Sequence, residues 1–421
     1  MISPVEAWVA KCTGLNDRLS VDTLLKWQLD KTRKIIEYTR THSRFYAEKL
    51  QGIDTKKIKT LSDMEEIDFT WPEDILRDSK AFVCVPQSQI ARIVTLYTSG
   101  SQGAPKRIYF TEQDMEKTVD FFTHGMSTMV HKGQTVVVFM SGETQNSIGD
   151  LLKKALKRIG VSTQIYGRID DVYKAIKAAK TADCLIGVPA EIIYMCRTDE
   201  SLRPQSVLLS TDYVPDSVIR SIEDTWKCQV FTHYGMTETG FGLGVQCEAG
   251  LGYHLRDADL LVEIVDPKTG LQVPPGKCGE IVITTFSREA MPLIRYRTGD
   301  IAHLIVNPCP CGGILPQLGK VMGRVSNIIS LENSQQLSIY YLDEIMFAFP
   351  EVRNFEASLI KTARTNILNI TVDAKESLQH EDLLRYLKNA LSHDIEIQIK
   401  FDKIGPYVGQ QKRSISLEKR K

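Results

Sequence analysis

Residues 135–235 decide the fold: TVVVFM (135–140), DLLKKALKRIG (150–160), VYKAIKAAK (172–180), DCLIGVP (183–189), SVLLS (206–210), VPDSVIRSIEDTW (214–226) and CQVFTHYG (228–235). Short runs of Val, Ile, Leu and Cys alternate with segments whose apolar residues recur at helical spacing. Strands that are apolar along nearly their whole length are buried on both faces, and the helices between them supply the cover. The pattern predicts an α/β fold with a buried parallel sheet, its strand-like runs starting at IARIVTLYTSG (90–100).

On the N-terminal side, residues 19–49 read as helical and 51–90 as irregular, with breaks at Trp71-Pro72 and Val85-Pro86. On the C-terminal side the texture changes twice. DLLVEIVDPKTGLQVPPGKCGEIVITTF (259–286) reads as two strands around a Pro/Gly-rich turn, an antiparallel β subdomain added to the parallel-rich body. Beyond 323, QQLSIYYLDEIMFAF (335–349) reads as a helix, and NFEASLIKT (354–362) and NILNITVDA (366–374) as strands. HEDLLRYLKNALS (380–392) follows as a helix and DIEIQIKFD (394–402) as a strand. The expected organisation is a large N-terminal domain over 1–323 and a small α+β C-terminal domain over 324–421.

At 421 residues two or three domains are expected. Lys+Arg and Asp+Glu both number 52, a balance that argues against a nucleic-acid-binding protein. No apolar run is long enough to span a membrane, and the N-terminus shows no signal-peptide pattern. Nine cysteines, among them Cys84, Cys184, Cys196 and Cys228 in apolar surroundings, suit reduced, buried thiols and a cytoplasmic location.

Four strings carry chemistry. Tyr97-Thr98-Ser99-Gly100-Ser101-Gln102-Gly103-Ala104-Pro105-Lys106 runs from a strand into hydroxyls, glycines and a lysine. Glycines admit backbone N–H groups to a phosphate and the lysine adds a point charge, although a surface turn has the same composition. His233-Tyr234-Gly235-Met236-Thr237-Glu238-Thr239-Gly240 ends a strand, where parallel sheets bind ligands. Its ring suits a base, its hydroxyl a phosphate and its carboxylate Mg²⁺, while the alternative is a helix start capped by Thr237. In Arg295-Tyr296-Arg297-Thr298-Gly299-Asp300 the carboxylate beside a glycine suits two ribose hydroxyls, or else a plain turn. Gly323-Arg324-Val325-Ser326-Asn327 falls where the texture changes and reads as a hinge or an ordinary linker.

In their order and spacing these strings resemble the superfamily of acyl-CoA synthetases, luciferases and peptide-synthetase adenylation domains, and within it the phenylacetate–CoA ligase family. The resemblance spans nearly the whole chain. It is carried by FYAEKLQGIDTKKIKTLSDMEEIDFTWPEDI (45–75), HYGMTETG, GYHLRDADLLVEIVDP (252–267), GEIVITTFSREAMPLIRYRTGD (279–300), CPCG (309–312) and GRVSNII (323–329). It implies an acetyl-CoA synthetase-like fold with a mobile C-terminal domain. It also implies activation of a carboxylic acid by ATP to an acyl-adenylate and transfer to coenzyme A, with AMP and Mg²⁺ in the site.

Residue by residue, the resemblance puts Ser99, Gly100, Ser101, Gly103 and Lys106 on the triphosphate. It puts Ser210, Thr211 and Asp212 at the adenine, and His233, Tyr234, Gly235 and Met236 beside the nucleotide. Thr237 meets a phosphate, Glu238 Mg²⁺ and Asp300 the ribose, and Arg324 begins the hinge. His233 reads as a satisfied histidine rather than a base. The family's C-terminal signature G-K-x-x-R here reads Gly409-Gln410-Gln411-Lys412-Arg413, so Gln410 takes the slot of a catalytic lysine. Either Lys412 substitutes through a shifted loop, or the adenylation half-reaction is weakened. The hinge departs too, with Ser326 where an acidic residue is common.

Cys247, His254, Cys309 and Cys311 form a C-x₆-H…C-x-C set suited to a structural, tetrahedral Zn²⁺. The acyl pocket is expected from 139–148 and 232–245, with Phe139 and Phe241 suited to an aromatic or medium acyl group. Alternatives are transfer to a non-CoA acceptor, or a nucleotide-binding regulatory protein with weakened catalysis. The expected partners are a small carboxylic acid, ATP and CoA, with no nucleic acid or membrane, and by family analogy a second copy in a homodimer.

Overall fold

The computed structural model describes residues 3–96, 105–324, 327–331, 336–361, 366–391, 395–406 and 413–418. The chain forms two compact units that interleave in sequence. The first comprises Met1–His131, Thr144–Gly160 and His233–Val321; the second comprises Lys132–Glu143, Val161–Thr232 and Met322–Lys421.

In the second unit the alternating apolar runs form the expected parallel ladder. Ser162–Ile165, Thr135–Val138, Cys184–Gly187, Ser206–Leu209 and residues 229–232 of the strand Gln229–Tyr234 lie side by side in that order; His233 and Tyr234 belong to the first unit. Every residue of Cys184–Gly187 and Ser206–Leu209 is buried, as strands covered on both faces require. The same unit holds a 4-stranded sheet in the order Ile395–Phe401, Asn366–Ala374, Val352–Lys361 and Ser416–Glu418. Its helices are Ile339–Met346 and His380–Ala390. The helix expected over 335–349 is shorter, because Gln336–Leu337 pairs with Ile329–Ser330 before Ser338 caps the first turn.

In the first unit, helix Val21–His42 starts at a Ser20 cap and buries Leu24, Gln28, Thr32, Ile35, Ile36 and Thr39, one helical face. Helix Glu112–Met126 starts at a Thr111–Asp114 capping box and packs on Ile148–Arg158. Asp114 also accepts the backbone N–H groups of Glu289 (2.9 Å) and Ala290 (3.2 Å), tying the loop before Arg295 to that helix. The expected strands of 259–286 form Leu260–Val265 and Gly279–Thr285, paired antiparallel, and Tyr296–Ala302 completes a 3-stranded sheet.

One strand departs from expectation. Arg92–Leu96 does not join the parallel ladder; it pairs antiparallel with Lys106–Phe110. Arg92 and Thr95 interrupt the apolar run, and exposure alternates along the strand, with Ile93 49 % exposed. A hairpin with one wet face accommodates that pattern and a two-sided parallel strand does not. Its partner strand begins at Lys106.

Candidate active site

Lys106 and Glu238 stand 132 positions apart in sequence and form a buried ion pair, their side chains 12 % and 3 % exposed. The hydroxyl of Tyr296 bridges them, accepting from Lys106 Nζ at 3.1 Å and donating to Glu238 Oε1 at 3.2 Å. Lys106 opens the strand Lys106–Phe110, Glu238 lies in the short 3₁₀ turn Thr237–Thr239, and Tyr296 opens the strand Tyr296–Ala302. The turn is capped by Met236, not Thr237, and closes on Gly240 at φ +71°. A Cβ at Gly235 would meet Phe241 O at 2.4 Å, so the loop folds back on itself only with glycine there.

In the same unit the Tyr234 hydroxyl donates to Asp300 Oδ2 at 2.8 Å, with both side chains buried. Gly299, at φ +77°, makes the turn within the strand that presents Asp300. The neighbouring cations are held elsewhere. Arg295 is bound by Glu263 (3.0 and 3.2 Å) and Arg297 by Glu280, leaving the strand's tyrosine and aspartate for the site. His233 packs edge-on to Phe122, and desolvation together with the charge of Arg256 holds its pKa down to about 4. It is a neutral imidazole at pH 7, not a titrating base.

In the second unit, Ser210, Thr211 and Asp212 follow the strand Ser206–Leu209. Thr211 takes φ +75°, a region that costs a β-branched residue about 1–3 kcal/mol and that concentrates at functional sites. The Asp212 carboxylate accepts from Tyr213 N (2.9 Å) and Arg413 N (3.3 Å). Arg324 belongs to this unit as well. Ser99, Gly100, Ser101, Gly103, Ser326, Gln410 and Lys412 lie outside the described residues.

The cysteine–histidine set converges. The ligand atoms of Cys247, His254, Cys309 and Cys311 all lie within 4.8 Å of one another. Cys247 Sγ is 3.6 Å from Cys309 Sγ, and Cys311 Sγ is 3.4 Å from His254 Nε2. A tetrahedral ion with Zn–S about 2.3 Å and Zn–N about 2.0 Å requires separations of about 3.8 and 3.5 Å, and the Cys247–Cys309 and Cys311–His254 separations match these values. Desolvation lowers the His254 pKa, favouring the neutral ligand form. Glu6 braces the loop by accepting from Ile314 N at 2.7 Å.

Residues 26–287 match the AMP-binding enzyme family. The chain belongs to that family of AMP-binding enzymes. A phenylacetate-coenzyme A ligase of Thermus thermophilus is 25 % identical over 352 residues, covering 80 % of this chain and 78 % of that one. A 2-hydroxyisobutyryl-CoA ligase in the postadenylation state with its acyl-AMP superposes with a TM-score of 0.83 at 18 % identity, over 94 % of this chain and 90 % of that one. The same ligase with acyl-AMP and CoA in the thioesterification state gives 0.67 at 18 % identity, over 95 % and 91 %. The likeness to these structures is one of fold, the α/β acyl-CoA synthetase fold.

In this AMP-binding enzyme, Lys106, Tyr234, Glu238 and Asp300 meet their partners within one unit. Tyr296 was not among the residues expected to act. It lies on the strand of Asp300 four residues away, but the Gly299 turn and a register shift separate the two, so strand alternation gives no signal for it. Phe139 is wholly buried against Tyr166 in the second unit, a core residue. Phe241 stacks on Phe110 at 5.7 Å in the first.

Proposed function

We propose that the enzyme activates a carboxylic acid with ATP and passes the acyl group to coenzyme A. The observation that carries the reading is the Lys106–Glu238–Tyr296 cluster. A cation for phosphate, a carboxylate for a metal and a shared hydroxyl are drawn from three distant segments of an AMP-binding enzyme. The acid's carboxylate oxygen attacks the α-phosphorus and the bond to the pyrophosphate oxygen breaks, giving acyl-AMP and pyrophosphate. The CoA thiol then adds to the carbonyl, loses its proton and expels AMP.

Without nucleotide, Lys106 and Glu238 neutralise each other. In the loaded site Lys106 turns to the phosphates beside Ser99, Gly100, Ser101 and Gly103. Thr237 meets a phosphate, Asp300 takes the ribose hydroxyls with Tyr234 orienting it, and Ser210, Thr211 and Asp212 take the adenine. Charge neutralisation at a phosphoryl centre is the main task of such a site, and one well-placed donor is worth about 3–4 kcal/mol. Glu238 is a hard oxygen donor that suits Mg²⁺, which when bound neutralises phosphate charge.

Residues 324–421 act as the small domain, with Arg324 at its hinge. The enzyme works in the cytosol, where ATP and CoA are available, as a homodimer. Among the described residues no helix is long and apolar enough to cross a membrane. A pyrophosphate-release screen across carboxylic acids, with and without CoA, tests the reading. One acid class should release pyrophosphate, CoA should release AMP, and Lys106→Ala should abolish both. Pyrophosphate with no CoA-dependent AMP release points to another acceptor, and no release with any acid refutes the enzyme.

A second reading rests on the sulfur and nitrogen separations at Cys247, His254, Cys309 and Cys311. These residues would hold a structural Zn²⁺, which would tie the loop after residue 308 to Cys247 and His254. With four protein donors the ion would brace the fold and not touch substrate.

A further inference from the structure

Two helices in the second unit have ends that their own sequences do not finish. Helix Asp216–Trp226 follows Pro215, whose side chain offers no cap. Helix Ile339–Met346 ends at Phe347 in a right-handed conformation, with no basic residue in its last turn. Each such end leaves backbone groups that need partners. Both partners come from across the seam between residues 189–226 and the C-terminal α+β fold.

The Glu344 carboxylate accepts from Asp216 N at 2.6 Å and from Ser217 N at 3.0 Å, capping the first helix. The Arg197 guanidinium donates to Phe347 O at 2.6 Å and to Val352 O, closing the second. An anion sits at an N-terminus and a cation at a C-terminus, the favourable sense for both helix dipoles.

Arg197 is 5 % exposed, and among the described residues no carboxylate pairs with it and its Nε has no partner. A buried cation held only by carbonyls, a hydroxyl and a ring face gives back much of its contact energy as lost hydration. Such a contact breaks cheaply when water returns, unlike apolar packing. Tyr194 to Asp373 (3.3 Å) and Lys375 to Glu200 (2.7 Å) cross the same seam and are also polar, the texture of interfaces between parts that move. With the seam closed, Arg413 of the C-terminal signature places its N–H 3.3 Å from Asp212 at the strand end assigned to adenine.

We propose that Arg197 and Glu344 are positioning residues, a reciprocal helix-end latch that holds the C-terminal fold in the orientation that makes the adenylate and opens for the thioester step. The proposal rests on the ligase reading above.

The test uses the full-length enzyme and the variants Arg197→Met, Arg197→Lys and Glu344→Gln, with the two half-reactions measured apart. Acid-dependent pyrophosphate exchange reports adenylation, and CoA-dependent AMP release from supplied acyl-AMP reports thioester formation. Arg197→Met and Glu344→Gln should lower exchange about tenfold, within the usual range for coupling between two conformations, and leave AMP release unchanged or faster. Arg197→Lys, which still donates to a carbonyl, should recover part of the exchange. An equal fall in both half-reactions marks a merely structural role and overturns the latch, as does no change in either.

Hydrogen exchange on the same proteins decides the contact without activity. Amide protection at Asp216 and Ser217 should fall in Glu344→Gln, and at 347–352 in Arg197→Met; unchanged protection overturns the latch. If the wild type is inactive with every acid, the ligase reading fails and takes the half-reaction claim with it, while the protection data still report on the seam.

Discussion

Removing the positive charge of Lys106 should damage the resting enzyme as well as the reaction. In Lys106→Met the Glu238 carboxylate, only 3 % exposed, keeps the Tyr296 hydroxyl and loses the Lys106 cation. Breaking one side of a buried pair costs about 3–5 kcal/mol. Lys106 retains 12 % exposure, so water offsets part of the loss and the lower end, about 3 kcal/mol, is expected. For a folding unit of 150–250 residues each kcal/mol moves the melting temperature by about 2–4 °C, giving a drop of about 6–12 °C. The double variant Lys106→Met/Glu238→Gln removes both charges of the pair and should recover most of that drop while remaining inactive in pyrophosphate release. The assay is thermal or urea unfolding without nucleotide, run beside the activity screen. A single variant that melts within about 1 °C of wild type would refute the buried pair. So would a double variant no more stable than the single one.

Four further outcomes are expected. Desolvation pushes the buried Asp257 carboxyl up to about 7, with only Gln28 to offset it. The folded state therefore binds a proton that the unfolded state releases near pH 4, and stability falls as pH rises from there to about 7. Asp257→Asn should then stabilise at pH 8, by up to about 3–4 kcal/mol, and be neutral at pH 4; an equal change at both pH values would contradict this. Cys309→Ser or a strong chelator should remove stoichiometric zinc, measured by elemental analysis, and lower the melting temperature without raising the KM for ATP. Arg295→Met should cost about 3–5 kcal/mol in urea unfolding, because Arg295 and Glu263 are 1 % and 4 % exposed. Arg385→Ala, at an exposed pair, should cost no more than about 1 kcal/mol.

The sequence was most legible where one residue type serves one physical purpose. Cys184–Gly187 and Ser206–Leu209 are apolar because both faces are covered, so period and burial agree. Arg92–Leu96 reads as a similar run, yet its faces differ, and only its pairing with Lys106–Phe110 reveals the hairpin. The site strings singled out Lys106, Glu238 and Asp300 by side-chain chemistry, and the fold brings Lys106 to Glu238 and Asp300 to Tyr234. Tyr296 stayed hidden because a tyrosine in a strand is usually core, and its place in the cluster appears only once Lys106 and Glu238 meet at its hydroxyl. Phe139 shows the reverse, a ring suited to an acyl pocket that the fold spends on its core. Borrowed helix caps such as Glu344 and Arg197 leave no local signature, because the helix end and its partner are far apart in sequence.

The central claim is that an acid oxygen attacks the α-phosphorus of ATP. Turnover with an acid carrying ¹⁸O in both carboxylate positions, followed by mass spectrometry of the products, tests it most directly. The account predicts AMP with a single ¹⁸O atom and a thioester that keeps the other. Unlabelled AMP, or label recovered in inorganic phosphate beside ADP, would contradict it.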